Sequence, residues 1–224
     1  MLITTAQNRR SLGDLSIKLN NQFIEQVENF KLLGVIVNQN LSWTPHVKSV
    51  AKILNTKLFQ LRQLRRILPE KFRAIFYKCH FQPYLDYCST IWDSHDISSA
   101  DMLNRQQKIA FRLILGSKYN TDLTMNLKRL NIFDIRTRHN FNSYKFIYKT
   151  LNKMSPSYLS NLFKYKQTPY SSINSKLVVQ KPRINVIKQS MKYKGTILWN
   201  NLGDNFKAAP NFKTFRRMIL NNLS

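Results

Sequence analysis

The spacing of hydrophobic and polar residues changes near residue 44. Before that point, residues 15–19 and 22–27 alternate around Asn20-Asn21, a pattern typical of two β-strands joined by a two-residue turn. Residues 30–37 form a short apolar run that Asn38-Gln39-Asn40 ends, and this run predicts a third strand. The first 43 residues therefore predict a small antiparallel β region.

A long amphipathic helix is predicted to follow, from Pro45 to about Arg66. Thr44 offers an N-cap side chain and Pro45 suits the first helical position. One apolar stripe recurs at helical spacing, formed by Val47, Val50, Ala51, Leu54, Leu58 and Leu61. A second stripe has the same rhythm on another side, formed by Lys48, Lys52, Asn55, Arg62 and Arg66. We expect one face in the core and one face towards solvent or phosphate.

Further helices are predicted along the rest of the chain. A second helix should cover residues 69–92, bent at Pro83, with Phe72, Ile75, Phe76 and Cys79 facing inward. A third should run through residues 98–115 and end at Gly116, which suits the position after a helix. Helices are also expected at residues 135–151, 156–163, 195–202 and 211–223, extended segments at 176–179 and 183–187, and a linker at 167–175.

The charge of the chain indicates a polyanionic partner. Its 36 Lys and Arg residues outnumber 11 Asp and Glu residues, which gives a net charge of +25. No acidic residue lies between Asp134 and Asp204, so that stretch has no ion-pair partners of its own. Phosphate and anionic lipid would both attract such a surface. No run approaches the roughly 18 apolar residues of a membrane span. We therefore expect nucleic acid as partner, no membrane span, and an intracellular location in nucleus or cytoplasm.

Several kinds of catalytic and metal site find no support in the sequence. The 5 glycines are scattered, so no phosphate-binding loop is predicted. The acidic residues include no adjacent pair of the kind that holds two metal ions. Cys79 and Cys88 would face opposite sides of one helix, which argues against a disulfide, although His80 and His95 leave a zinc site open as an alternative. We predict no catalytic residue, no metal and no cofactor.

One block of residues carries a family resemblance. Phe30-Lys31-Leu32-Leu33-Gly34-Val35, followed by Leu41-Ser42-Trp43-Thr44-Pro45-His46, resembles the segment that closes the palm and opens the thumb of reverse transcriptases from non-LTR (LINE-type) retrotransposons. In that family the pattern is F-K-x-L-G-V, then L-x-W-x-x-H. The likeness continues through Ile67-Leu68-Pro69, Pro83-Tyr84-Leu85-Asp86-Tyr87-Cys88, Leu113-Ile114-Leu115-Gly116, Ser155-Pro156-Ser157-Tyr158-Leu159 and Leu198-Trp199-Asn200-Asn201-Leu202.

The resemblance implies a nucleic-acid clamp without catalytic residues of its own. In the family, the metal-binding aspartates lie in an upstream palm that includes a Y/F-A-D-D box. Tyr84-Leu85-Asp86-Tyr87 has a single carboxylate and does not supply that box. The implied fold is mainly α, with a small amino-terminal antiparallel β region and a thumb-like helical bundle followed by further helices. The implied partners are RNA, DNA or an RNA–DNA hybrid, gripped with little regard to sequence, and a separate palm domain.

The resemblance also implies a division of the chain and a set of contacts. The segments are a primer-grip-like β region (1–43), a thumb-like bundle (44–118), additional helices (119–166) and a basic linker with a helical end (167–224). The implied primer-grip residues are Leu33, Gly34 and Val35. The candidate phosphate contacts are Lys48, Lys52, Arg62, Arg65 and Arg66 on the first helix, with Arg105, Lys108 and Arg112 on the third. Exposed helix charges with no ligand, and a glycine needed only for packing, are the alternatives.

Two further interpretations of the whole chain remain open at this stage. The first is a host-recruited basic helical protein that binds RNA, DNA or another protein by itself, and the second is a decayed transposon reading frame with no selected role. A similar choice concerns the aromatic residues between 144 and 165, which alternate with lysines. Tyr144, Phe146, Tyr148, Phe163 and Tyr165 predict either a hydrophobic core or platforms on which single-stranded bases stack.

Overall fold

A computed structural model of the chain describes residues 1–4, 8, 10–11, 16–93, 97–118, 122–167, 175–183 and 185–223. The fold is mainly helical and carries two small antiparallel β-hairpins near its amino terminus. The predicted fold class, mainly α with an amino-terminal antiparallel β region, is therefore confirmed.

The two hairpins do not join into a single sheet. Strand β1 (Lys18–Leu19) pairs with β2 (Gln22–Phe23) across Asn20 and Asn21, whose φ angles of 49° and 63° suit a two-residue turn. Strand β3 (Asn29–Leu32) pairs with β4 (Val35–Asn38). The predicted third strand over residues 30–37 was therefore wrong. Leu33 and Gly34 both have positive φ, 47° and 87°, and reverse the chain within the apolar run.

Helix α1 covers Thr44–Leu64 and follows the predicted pattern closely. All six residues of the predicted apolar stripe are buried. The predicted N-cap was wrong, because Trp43 occupies the cap position and Thr44 is already the first helical residue. The Ser42 hydroxyl instead accepts a hydrogen bond from the Thr44 amide, at 3.4 Å. Pro45 lies in the first turn, as predicted.

The predicted second helix is broken into three: α2 (Glu70–His80), α3 (Gln82–Asp86) and α4 (Ser89–Trp92). Pro83 removes one helical amide donor, and Cys88 adopts a left-handed conformation with φ of 51°. The predicted inward face of α2 was wrong for three of its four residues, since Phe76 alone among them is half-buried against the hydrophobic core. Phe72 and Ile75 are 53% and 47% exposed, and Cys79 is exposed. Ala74 and Tyr77 are buried instead, because α5 packs against that side of α2.

Of the next three helices, the first and third match their predicted positions, whereas the second was not predicted. Helix α5 covers Ile97–Leu115 and ends at Gly116, whose φ of 70° fits the predicted position after the helix. Helix α6 covers Thr124–Arg129, and α7 covers Ile135–Leu151. Asp134 caps α7 by accepting a hydrogen bond from the Thr137 amide at 2.9 Å.

The carboxy-terminal elements differ more from prediction. A short 3₁₀ helix covers Ser157–Leu159, within the predicted helix at 156–163, and Tyr165 pairs with Leu177 in an isolated antiparallel bridge. The predicted extended segment at 183–187 was wrong in part, because α8 covers Asn185–Gln189. Most of the predicted linker, residues 168–174, lies outside the described residues. Three further helices complete the described chain: α9 (Met191–Asn200), α10 (Asp204–Lys207) and α11 (Phe212–Leu223).

Two hydrophobic clusters hold these elements together. The first joins β4 and α1 to α5 around Leu54, Tyr77 and Ile114, each 0% exposed. The second joins α7, α9 and α11 around Ile147 and Phe215, also 0% exposed. Helix α7 contributes Ile135 to the first cluster and Phe141, Ile147 and Tyr148 to the second, so one helix links both cores.

Within the described parts of the chain, no helix combines the length and the apolar character needed to cross a bilayer.

Candidate nucleic-acid interface

Helices α1 and α5 lie side by side and run in the same direction. Near their middle, the Gln106 side-chain amide donates to the Ala51 carbonyl at 2.8 Å and to the Asn55 side chain at 2.7 Å. Near their carboxyl ends, the Arg65 guanidinium donates to the Gly116 carbonyl at 3.2 Å. Contacts that advance together along both helices define a parallel pair, and the hydrogen bonds fix its register.

The basic row of α1 lies on the outside of this pair, as the sequence predicted. Its cations, all exposed, are Lys48, Lys52, Arg62 and Arg66. At helical spacing they fall within one arc of the helix surface, and the stretch from Lys48 to Arg62 is about 21 Å long. Phe59 lies in the middle of the same row and is 58% exposed. The row therefore presents an aromatic ring between two groups of cations.

The predicted contacts on α5 form a second row. Arg105 and Lys108 are exposed and Arg112 is half-buried, at spacings of three and four residues. Asp101 lies on the same side, one turn before Arg105. Asn55 belongs to the α1 row and contacts Gln106, so the α1 row borders the seam between the helices. Arg105 directly precedes Gln106, which puts the α5 row about 100° further round its helix.

The cations of these rows have few carboxylates to neutralise them. Among the described residues, the Lys and Arg ion pairs are Arg129–Glu70, Arg138–Asp86, Lys194–Asp93 and Lys207–Asp204. None of these pairs includes Lys48, Lys52, Arg62, Arg66, Arg105 or Lys108. Two rows of positive charge with an exposed aromatic ring can bind backbone phosphates without making sequence-specific contacts to the bases.

Arg65 differs from its neighbours on α1. Its guanidinium donates to the Gly116 carbonyl, and its own carbonyl accepts a hydrogen bond from the Arg73 guanidinium at 3.3 Å. These bonds tie the ends of α1 and α5 to α2. Arg65 thus has a structural role that the sequence did not reveal, since both partners are distant along the chain.

The primer-grip-like residues lie at the tip of the second hairpin. Leu33 is 83% exposed, whereas Val35 is buried. The Tyr87 hydroxyl donates to the Leu33 carbonyl at 2.7 Å and holds the turn against the end of α3. A Cβ atom on Gly34 would lie 3.6 Å from the Tyr87 ring, an ordinary contact. The positive φ of Gly34 accounts for a glycine at this position.

The hairpin is also fixed to the start of α1. The Ile36 amide donates to Nδ1 of His46 at 3.3 Å, and burial lowers the pKa of this histidine. The neutral ring has a free lone pair with which to accept that bond. His46 also packs edge-to-face against Trp92, with ring centroids 5.3 Å apart. The hairpin tip and the basic row of α1 are thus parts of one rigid unit.

The aromatic residues near α7 mostly belong to the second core. Tyr148 is 3% exposed and donates to the Ala209 carbonyl at 3.0 Å, and Phe163 is 5% exposed. Phe146 packs against Phe163 with ring centroids 6.4 Å apart. For these three residues the base-stacking interpretation was wrong. Tyr144 is half-buried, and Tyr165 is 48% exposed beside the Leu177 bridge.

His95 of the alternative zinc site lies outside the residues that the structure describes. Among the residues that it does describe, no group of three His, Cys, Asp or Glu side chains lies close enough to hold a metal ion. Cys79 and Cys88 are both free thiols.

Comparisons of the chain with models of protein families, with curated proteins and with solved structures found no match. The resemblance to LINE-type reverse transcriptases therefore stays a prediction.

Proposed function

We propose that the chain is a nucleic-acid-binding clamp, the thumb and downstream part of an RNA-directed DNA polymerase of the LINE type. In this proposal it grips the backbone of a template–product duplex and needs a separate palm for polymerisation. The observation that carries the proposal is the outer surface of the α1–α5 pair. There, six exposed cations form no ion pair with the described carboxylates: Lys48, Lys52, Arg62, Arg66, Arg105 and Lys108.

The position of the hairpin tip supports the polymerase part of the proposal. Tyr87 and His46 fix the Leu33–Gly34 turn beside the start of α1, so a duplex along the helix pair would meet the turn at one end. The exposed Leu33 side chain is available there to contact the end of a strand. A host-recruited RNA- or DNA-binding protein would use the same cations. The two proposals differ at the Leu33–Gly34 turn, which contacts a strand end only in the polymerase proposal.

Neutralising the α1 row should weaken binding and reduce its dependence on salt. We expect the variant K52Q/R62Q/R66Q to bind an RNA–DNA hybrid less tightly than the wild type. If each cation neutralises one phosphate, the slope of the logarithm of affinity against the logarithm of salt should fall by about 2.7. Fluorescence anisotropy at several salt concentrations measures this slope.

A variant with the same change in net charge provides the control. Lys71, Lys128 and Lys181 are exposed and lie outside both rows, so K71Q/K128Q/K181Q should keep a slope close to that of the wild type. Equal slopes for the two triple variants would mean that only net charge matters, and the α1 surface would not be the contact.

The isolated chain should not extend a primer. With a primer–template, magnesium and nucleotides, we expect no product above background, because two-metal catalysis needs paired carboxylates that the sequence does not contain. A gel assay with an active reverse transcriptase as positive control measures this. Primer extension by the purified chain would contradict the assignment to a thumb.

A further inference from the structure

A separate group of cations lies on α7, outside the α1 and α5 rows. Arg138, Lys145 and Lys149 are spaced by seven and four residues, so they lie on one side of the helix. The row extends over about 17 Å along the helix axis. The charge of Arg216 on α11 lowers the pKa of Lys145. We call these four residues the α7 cluster.

The side chains of the α7 cluster are held in place by their neighbours. The Lys145 ammonium lies 4.6 Å from the centre of the Phe141 ring, and the Lys149 ammonium lies 4.7 Å from the centre of the Phe212 ring. The Arg138 guanidinium donates to both carboxylate oxygens of Asp86. Cations that are already positioned lose little conformational freedom when an anion binds.

The charge of the α7 cluster is poorly compensated. Asp86 is the acidic side chain that acts on Lys145, and its oxygens already accept hydrogen bonds from Arg138, from Asn142 at 3.3 Å and from Gln82 at 3.2 Å. Burial lowers the pKa of Lys145, and the charges of Arg138, Arg216 and Lys149 lower it further. A half-buried ammonium surrounded by other cations would be stabilised by an anion at this position.

We propose that the α7 cluster is a second phosphate-binding site, which contacts the nucleic-acid backbone independently of the α1–α5 surface. This inference rests on the proposed nucleic-acid partner. Phosphodiester oxygens suit the cluster because guanidinium and ammonium groups both donate charge-assisted hydrogen bonds to them. A bilayer suits it less well, since Phe141 is buried and Phe212 half-buried beneath the lysines, which leaves neither ring to insert into lipid.

The substitution Lys145→Gln tests the site, because it should affect folding and binding in opposite directions. Removing a half-buried, repelled charge should raise the melting temperature at low salt. Removing a phosphate contact should weaken binding of a labelled 20-nucleotide single strand and of a hybrid duplex, by about tenfold. Lys149→Gln, at an exposed position, should weaken binding as well.

Lys181→Gln is the matched control, since Lys181 is exposed in an extended segment and lies outside the cluster. It should change both the melting temperature and the affinity little. If Lys145→Gln and Lys149→Gln bind as tightly as Lys181→Gln, the inference is overturned. Binding of the wild type to phosphatidylserine vesicles, but not to either oligonucleotide, would also overturn it.

The α1 triple variant separates this inference from the proposed function. If K52Q/R62Q/R66Q binds weakly and Lys145→Gln binds like the control, the clamp stands and the second site fails. If Lys145→Gln binds weakly and the α1 triple variant binds normally, the second site stands and the α1–α5 clamp fails. A folded wild type that binds neither oligonucleotide at low salt would overturn both.

Discussion

Replacing Gln107 with alanine should lower the free energy of unfolding by about 3–5 kcal/mol. Gln107 is 2% exposed and connects three elements of the first core. Its amide donates to the Tyr77 hydroxyl at 2.9 Å and to the Phe133 carbonyl at 3.3 Å. Its carbonyl accepts the Ile135 amide at 2.8 Å. The alanine variant would leave these buried polar groups without their partner, and each such loss costs about 1–3 kcal/mol.

Urea denaturation followed by circular dichroism measures this change. Gln63→Ala is the control, because Gln63 is exposed on α1 and should change stability by less than about 0.5 kcal/mol. Tyr77→Phe should have an intermediate effect of about 1 kcal/mol, since Gln107 keeps its bonds to Phe133 and Ile135. A Gln107→Ala variant as stable as Gln63→Ala would show that these hydrogen bonds do not hold α2, α5 and α7 together.

Replacing His139 with alanine should destabilise the protein by about 3–4 kcal/mol and weaken the connection between the two cores. His139 is 3% exposed. Its Nδ1 lies 2.9 Å from a carboxylate oxygen of Asp93, and its Nε2 lies 2.8 Å from the Leu85 carbonyl. Its ring packs edge-to-face against Trp92, with centroids 5.2 Å apart. These contacts attach α7 to the ends of α3 and α4.

Hydrogen exchange distinguishes a local change from a general loss of stability. In His139→Ala, amides of α9 and α11 should exchange faster relative to those of α1 than they do in the wild type, because the second core loses an attachment to the first. His80→Ala is the control, since His80 is exposed on α2, where its ring lies 4.8 Å from that of Phe76 between centroids. Equal protection patterns in the two variants would contradict this role for His139.

The sequence predicted those elements whose local pattern agrees with their packing. In α1, α5 and α7 the apolar stripe, the end signals and the tertiary contacts all select the same helix, so their bounds were close to those observed. For α2 the pattern is ambiguous, because apolar residues occur on more than one side. The contact between Tyr77 and Gln107 selects the buried side, and that contact joins residues 30 positions apart.

The hairpin at Leu33–Gly34 shows a different limit of sequence reasoning. An apolar run of eight residues has the composition of a strand, and a leucine with positive φ is uncommon enough that the turn was not expected. Gly34 was noted as a primer-grip residue or as a glycine needed for packing, and not for a chain reversal. Gly34 was therefore the one residue in this run that could have indicated a turn, but a glycine is also compatible with a strand that continues.

The candidate site was predictable only in part, because some of its contacts join residues that are far apart in the sequence. The exposed cations of α1 follow from helical spacing alone, whereas the structural role of Arg65 depends on a bond to Gly116, 51 positions away. Phe59 could have been found, because it falls within the basic stripe at helical spacing. The α7 cluster could not be found from the sequence. Lys145 falls within the stretch between Asp134 and Asp204 that lacks acidic residues, but the sequence does not show that the charge of Arg216 acts on it.

Helix α7 has a consequence for how this molecule could be divided. It contributes buried residues to both hydrophobic clusters, so a chain break within α7 would expose both clusters to solvent. A truncated or recombined variant of this chain would therefore need to keep α7 intact, together with elements on both sides of it. The smallest part of the chain that could fold alone is thus larger than the elements of either hydrophobic cluster.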